Sequence, residues 1–172
     1  MAPPPVPDVI APDLDVLFVG INPDPISGRV RHHFANPANA FWRLLHESGF
    51  TPRRFAPDDE RRLTGLGIGV TNLVMRVTSG VNELSAQDLD RGRRALERKL
   101  ARWRPRAVVF VGVTAWRAFT RDKGPVECGE APSHRGARVF VLPNPSGRNA
   151  HYPPARMRRL WSRLARALGR GA

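Results

Sequence analysis

The chain has 172 residues, of which 41% are hydrophobic and 8% aromatic, a balance that excludes wholesale disorder and suits one globular domain. Its formal net charge is +13, carried almost entirely by arginine, which favours a polyanionic partner such as nucleic acid because guanidinium groups suit phosphate oxygens. A single cysteine excludes a disulfide framework, and the longest apolar runs are too short to cross a membrane, so we expect a soluble cytoplasmic protein.

The first apolar run of the chain leads into a proline-bracketed polar loop. Residues 1–12 are proline-rich at their start, and we expect them to form a flexible tail before a single domain over 13–172. The run 16–21 predicts a buried strand that ends at Asn22, and Pro23 and Pro25 indicate that no helix begins at once. Ligands of open α/β sheets bind at the carboxyl ends of strands, so Asn22 is a candidate active-site residue. An asparagine that only closes a turn fits the same pattern.

The segment 26–39 shows neither helical nor strand periodicity, and it mixes basic residues with His32, His33 and Phe34. It therefore predicts a long functional loop. The two histidines lack the spaced partners of a metal site, so we expect no bound metal. Phe34 fits core packing, and it equally fits a stacking face for a nucleic-acid base.

The rest of the chain alternates between predicted helices and strands. Helices are predicted over about 38–48, 57–63, 85–103, 114–120 and 153–168, and strands over about 67–74, 107–114 and 138–142. Ser85 and Asp88 have the spacing of a capping box that opens the longest helix. This alternation predicts a three-layer α/β/α sandwich around a mostly parallel sheet.

A second proline-bracketed asparagine follows the last predicted strand. Pro143 and Pro145 flank Asn144, which repeats the pattern around Asn22. If the two strands are parallel, both loops lie at the same edge of the sheet and face each other across one cleft. No glycine-rich phosphate loop follows the first strand, which disfavours a nucleotide- or flavin-dependent enzyme.

Five motifs in this order resemble the mismatch-specific uracil/thymine DNA glycosylases of the uracil-DNA glycosylase superfamily, over about residues 16–168. They are GINP at 20–23, FANPANAFW at 34–42, GVTNLV at 69–74, NELS at 82–85 and LPNPSG at 142–147. The resemblance implies a monofunctional enzyme that removes uracil, and in some members thymine or a modified cytosine, from G:U or G:T mismatches. That activity would initiate base excision repair. The alternative is a non-catalytic nucleic-acid-binding α/β domain, which the arginine-rich surface also permits.

The resemblance also assigns roles to residues at the two loops. It implies that Asn22 positions the water that attacks C1′ of an extruded nucleotide, and that Phe34 stacks on the base. The backbone amides of Gly20 and Ile21 would lie near the base oxygens, with Ser27 near the nucleotide. The DNA-binding residues would be those of the second loop, which enters the duplex from the minor-groove side and contacts the opposite guanine: Asn144, Pro145, Ser146, Gly147 and Arg148. The expected partner is double-stranded DNA, bound by a monomer without a cofactor.

Several positions depart from the family pattern. At the position of Arg148 the bacterial branch typically has an apolar residue that acts as a wedge, and at the position of Ala150 it has an arginine. At the position of Asn72 a lysine is more usual. Asp24 and Pro25 stand where a glycine and an apolar residue are usual. Asp90 occupies a position where a relative can carry histidine. Its carboxylate is a second candidate for activating water, although favourable placement near a helix N-terminus explains it equally well.

Overall fold

The computed structural model describes residues 2–147 and 151–171, and within them the chain forms one five-stranded sheet. The strands are β1 Val16–Gly20, β2 Ile68–Asn72, β3 Ala107–Val111, β4 Gly129–His134 and β5 Ala137–Leu142, in the order β2-β1-β3-β5-β4. Four of them are parallel, and β4 pairs with β5 in the antiparallel sense. Every residue of β1, β2 and β3 is buried, as expected for strands covered by helices on both faces.

Helices cover both faces of this sheet. They are α1 Pro25–Val30, α2 Phe41–Glu47, α3 Ala86–Trp103, α4 Val113–Thr120 and α5 Pro154–Ala167, with 3-10 helices at Pro57–Leu66 and Val81–Glu83. One core contains α2 and α5, with Phe41 and Trp161 fully buried, and the other contains α3 and α4, with Leu96 and Phe119. The predicted α/β/α sandwich with a mostly parallel sheet is therefore confirmed. Among the described helices, none has the length and apolar character to cross a bilayer.

Two elements differ from the sequence prediction. The expected loop after Asn22 begins with helix α1, because Asp24 caps it by accepting a hydrogen bond from the Ser27 amide at 2.7 Å. The expectation that Pro25 prevents a helix here was wrong: proline is tolerated in a first turn, where its missing N–H would have no partner. Strand β4 was missed because Gly129–His134 lacks apolar alternation and pairs on one side only. Pro132 is typical of such an edge.

The N-terminal segment packs against the sheet beside β2. Val6 is fully buried, and Val9 exchanges two backbone hydrogen bonds with Val70. Asp8 accepts from the Thr71 hydroxyl at 2.5 Å and pairs with Lys99 at 2.7 Å. Part of the segment predicted as a flexible tail therefore contributes to the core and covers the edge of the sheet.

Candidate active site

The two proline-bracketed asparagines lie at the same edge of the sheet. β1 and β5 are both parallel to β3, so the loops that follow them, with Asn22 and Asn144, leave at the carboxyl edge. The segment after Phe34 contacts the second of these loops, because the Ala40 amide donates to the Pro145 carbonyl at 2.9 Å. The expectation that both loops lie at one edge of the sheet is confirmed.

The side-chain amide of Asn22 is fixed by contacts far away in the sequence. Its Nδ2 donates to the Arg76 carbonyl at 2.9 Å and to Thr78 Oγ1 at 2.7 Å, with a longer contact to the Pro23 carbonyl at 3.3 Å. The Thr78 hydroxyl donates to the Gly80 carbonyl at 2.9 Å, so towards Asn22 it acts as acceptor. Both amide protons are thus engaged, and Oδ1 of Asn22 is left as a fixed acceptor.

The segment that holds Asn22 is itself anchored to the start of α3. The Arg76 guanidinium donates to the Glu83 carbonyl at 2.5 Å and to Asp88 Oδ2 at 2.8 Å. Asp88 also forms the predicted capping box with Ser85. The Ser85 backbone amide, together with Arg76, lowers the pKa of Asp88 to about 2, so this carboxylate remains charged. The segment that supplies the acceptors of Asn22 is therefore tied by side-chain hydrogen bonds to the start of α3.

Gly20, Phe34 and Asn72 lie together at the carboxyl edge of the sheet, where Gly20 comes two residues before Asn22, and this group of three residues is called the recess below. A Cβ atom on Gly20 would lie 2.6 Å from Asn72 Oδ1 and 3.1 Å from Phe34 Cζ, so any other residue would have to displace the Asn72 amide. One face of the Phe34 ring is stacked on Phe41, with centroids 4.1 Å apart. The Gly20 carbonyl accepts from the Leu73 amide at 2.8 Å.

Asn72 is a site residue that the sequence interpretation noted only as a departure. Its side chain is 5% exposed and makes no hydrogen bond within the described part of the chain. Its position in register with Gly20, at the carboxyl end of the neighbouring strand, is the signal that could have identified it. The atoms of this amide are not among the fully buried polar atoms that lack a partner, so its donor and acceptor reach the surface and are available to a ligand.

The other predicted base-binding residues occupy supporting positions. Ser27 is 2% exposed, and its hydroxyl accepts from the Ala35 amide at 2.9 Å, which places it inside the turn that carries Phe34. Ile21 is half-buried, and its carbonyl accepts from the Val74 amide at 2.8 Å. These contacts hold the recess together.

The second loop is a compact turn on the far side of the same edge. Asn144 is exposed, and its Oδ1 accepts from the Ser146 amide at 3.0 Å. Pro145 is buried, whereas Gly147 is exposed and lies against Ala38. Arg148 and Ala150, the two departures in this loop, lie outside the described residues.

Asp90 lies away from these contacts, on the second turn of α3. Its carboxylate pairs with Arg93 at 3.2 Å, with Arg94 at 2.8 Å and with Arg121, and it lines a groove of about 910 Å³ between α3 and α4. The hydrogen bond from Arg93, supported by the two other arginines, lowers the pKa of Asp90 below its ordinary value. A carboxylate committed to three cations is a poor proton acceptor, so these contacts argue against the water-activating role considered for it.

Residues 7–165 match the profile of the Uracil DNA glycosylase superfamily. Because the match spans nearly the whole chain, the protein belongs to this superfamily, whose members act on DNA. Its fold is similar to that in the solution NMR structure of a "putative Uracil DNA glycosylase" from Methanosarcina acetivorans. The TM-score is 0.67 and the sequence identity 21%, with 98% of this chain and 99% of that chain covered.

Proposed function

We propose that the protein is a monofunctional, mismatch-specific uracil DNA glycosylase of the uracil/thymine type that initiates base excision repair. One observation carries the proposal: the amide of Asn22 is held through both of its protons, so that its Oδ1 is a fixed acceptor beside the recess of Gly20, Phe34 and Asn72. An acceptor held in this way can orient a water molecule, and a recess beside it can hold an extruded base.

The recess suits a flat pyrimidine. One face of the Phe34 ring is stacked on Phe41, and the other face would stack on the base. The buried amide of Asn72 offers one donor and one acceptor, which complement O4 and N3–H of uracil. Extrusion into this recess is easier from a mismatched pair, because less pairing energy is lost, and this supports a preference for G:U and G:T substrates.

The reaction is a hydrolysis at the sugar carbon. Oδ1 of Asn22 accepts a hydrogen bond from water, the water oxygen forms a bond to C1′, and the bond from C1′ to the base nitrogen breaks. The electron pair leaves with the base, and the proton of the attacking water passes to solvent. Asparagine is too weak a base to deprotonate water, so the rate comes from positioning and from stabilising the departing base.

The placement of the two lysines supports hydrolysis without strand cleavage. Lys99 is paired with Asp8 and donates to Thr71 beside β2, and Lys123 lines the groove between α3 and α4. Neither amine contacts the residues of the recess in the described part of the chain. In the described part of the chain, therefore, neither lysine is placed to form the Schiff base with the sugar through which a glycosylase can cleave the strand.

The proposed partner is double-stranded DNA, bound by a monomer in the cytoplasm at the carboxyl edge of the sheet. The loop of Asn144 to Arg148 would enter the duplex beside the extruded nucleotide. The net charge of +13 supports binding to the phosphate backbone.

The test is uracil release from end-labelled duplexes that differ in one base pair: G:U, G:T, A:U and G:C. Alkali treatment converts each abasic site into a strand break, and Asn22→Ala is the control for contaminating activity. We expect breaks in G:U, fewer in G:T and none in G:C, and no breaks before alkali. Binding of the G:U duplex without base loss would instead establish the non-catalytic alternative.

A further inference from the structure

Glu60 is a buried carboxylate that the reaction proposed above does not use. It belongs to the 3-10 helix Pro57–Leu66 and is 3% exposed. Its Oε1 accepts from His32 Nδ1 at 3.0 Å, and its Oε2 accepts from the backbone amide of His33 at 2.9 Å and from His33 Nδ1 at 3.0 Å. A buried charge is costly unless it is well paired, and these three hydrogen bonds offset that cost. The question is what the buried carboxylate does for the fold around it.

These contacts fix the backbone immediately before Phe34. The His33 amide donates to Glu60, and the His33 carbonyl accepts from the indole Nε1 of Trp42 at 3.0 Å. On the other side of Phe34, the Ala35 amide donates to Ser27 Oγ at 2.9 Å. Three consecutive peptide groups around Phe34 are therefore held by side chains from three different elements.

The turn needs such support because its backbone is strained. Phe34 has φ +51° and Arg31 has φ +60°, both in the left-handed region that disfavours residues with a side chain. Such a conformation persists only where the surroundings impose it, and strain of this kind is often found at functional sites. In this conformation the Phe34 ring lies beside Gly20, with its Cζ 3.1 Å from the position that a Cβ on Gly20 would occupy.

We propose that Glu60 is a positioning residue that holds the Phe34 ring in place for stacking on the extruded base, acting through His33. The inference rests on the proposed function, because it assigns Glu60 to the same recess. Glu60 touches neither the base nor the water.

The charge state of Glu60 agrees with its role as a hydrogen-bond acceptor for His32 and His33. Burial by itself raises the pKa of Glu60, but the hydrogen bonds from His33 and His32 outweigh burial and leave the pKa below its ordinary value. Glu60 is therefore a charged acceptor at neutral pH. Nε2 of His33 is buried and has no hydrogen-bond partner within the described residues. Among those residues, the His33 ring therefore makes its hydrogen bond to Glu60 through Nδ1.

The test is a double-mutant cycle with Phe34, measured as the single-turnover rate of uracil release from a G:U duplex. Glu60→Met keeps the length of the side chain and removes both acceptors, so we expect about a 10-fold lower rate in the wild-type background. In the Phe34→Ala background the same change should cost less than about 2-fold, because no ring remains to be positioned. Glu60→Gln should restore most of the rate, since its carbonyl oxygen can still accept from the His33 amide.

Hydrogen exchange provides a readout that does not depend on activity. The His33 amide should exchange faster in Glu60→Met and return towards the wild-type rate in Glu60→Gln. If Glu60→Met does not fold, Glu60→Asp replaces it in the cycle, because the shorter carboxylate cannot reach both histidines.

The outcomes separate this inference from the proposed function. An equal loss of rate from Glu60→Met in both backgrounds, with the wild type active, would overturn the positioning role and leave the proposed function intact. A wild type that releases no base from any duplex would overturn both.

Discussion

Asn22 and Asp90 were both candidates for activating water, and the structure gives them opposite environments. Asn22 donates both amide protons to the 76–78 segment and keeps Oδ1 available. Asp90 is the stronger acceptor by chemistry, yet its oxygens pair with Arg93, Arg94 and Arg121. The weaker acceptor, Oδ1 of Asn22, is left available, whereas the stronger one, the Asp90 carboxylate, is occupied.

If Asn22 orients the water as proposed, the availability of an acceptor matters more at this site than its intrinsic basicity. A carboxylate held by three guanidinium groups gains hydrogen bonds that a protonated or water-bound form would lose. A neutral amide cannot remove a proton, but a fixed one can orient water with little loss of entropy during the reaction. Four substitutions test this comparison.

The largest effect should come from removing the available acceptor. Asn22→Ala should lower the single-turnover rate of uracil release at least about 100-fold, since the water loses its orienting group. Binding of the G:U duplex, measured by fluorescence anisotropy, should change little. A rate within a factor of about three of wild type would show that Asn22 does not orient the water.

A smaller effect should follow from removing one of the two hydrogen bonds that hold the side-chain amide of Asn22. Thr78→Val is nearly isosteric and removes the acceptor of one Asn22 proton, so we expect about a 10-fold lower rate with unchanged duplex affinity. Thr78→Ser keeps the hydroxyl and is the matched control. Equal losses in the two variants would attribute the effect to packing and not to the hydrogen bond.

Asp88 is the carboxylate of α3 that does connect to Asn22, through Arg76. Its pKa is lowered from 3.8 to about 2 in the folded protein, so its ionised form stabilises the fold above pH 3.8. That contribution is lost as the pH falls towards 2. Urea unfolding between pH 5 and pH 2 should therefore show a weaker pH dependence for Asp88→Asn than for the wild type. Parallel curves would contradict the assignment.

The smallest effect should come from the occupied carboxylate. Asp90→Asn should change the rate of uracil release less than about 2-fold, because a carboxylate already paired with three arginines is not free to activate water. Asn22→Ala, assayed on the same duplex, is the positive control. A loss comparable to that of Asn22→Ala would restore Asp90 to the mechanism.

Local signals in the sequence were sufficient for much of the fold. Apolar runs identified β1, β3 and β5, because strands buried on both faces carry few polar residues. The spacing of Ser85 and Asp88 located the start of α3, since a capping box forms within four residues. Strand β4 could not be predicted in this way, because its pairing with β5 and not its composition makes it a strand.

Some features of the candidate site could likewise be predicted from the sequence, and others could not. The sequence by itself determined that Asn22 and Asn144 follow strands and that Gly20 precedes the first loop, because prolines and apolar runs act over a few residues. Only the tertiary structure decided which atom of Asn22 remains available, since its partner Thr78 lies 56 positions away. It also decided that Asp90 is occupied and that Glu60 accepts hydrogen bonds from His33, the residue before Phe34. Hydrogen bonds and ion pairs between residues far apart in the sequence depend on the tertiary fold that brings them together. A pattern of neighbouring residues does not contain that information.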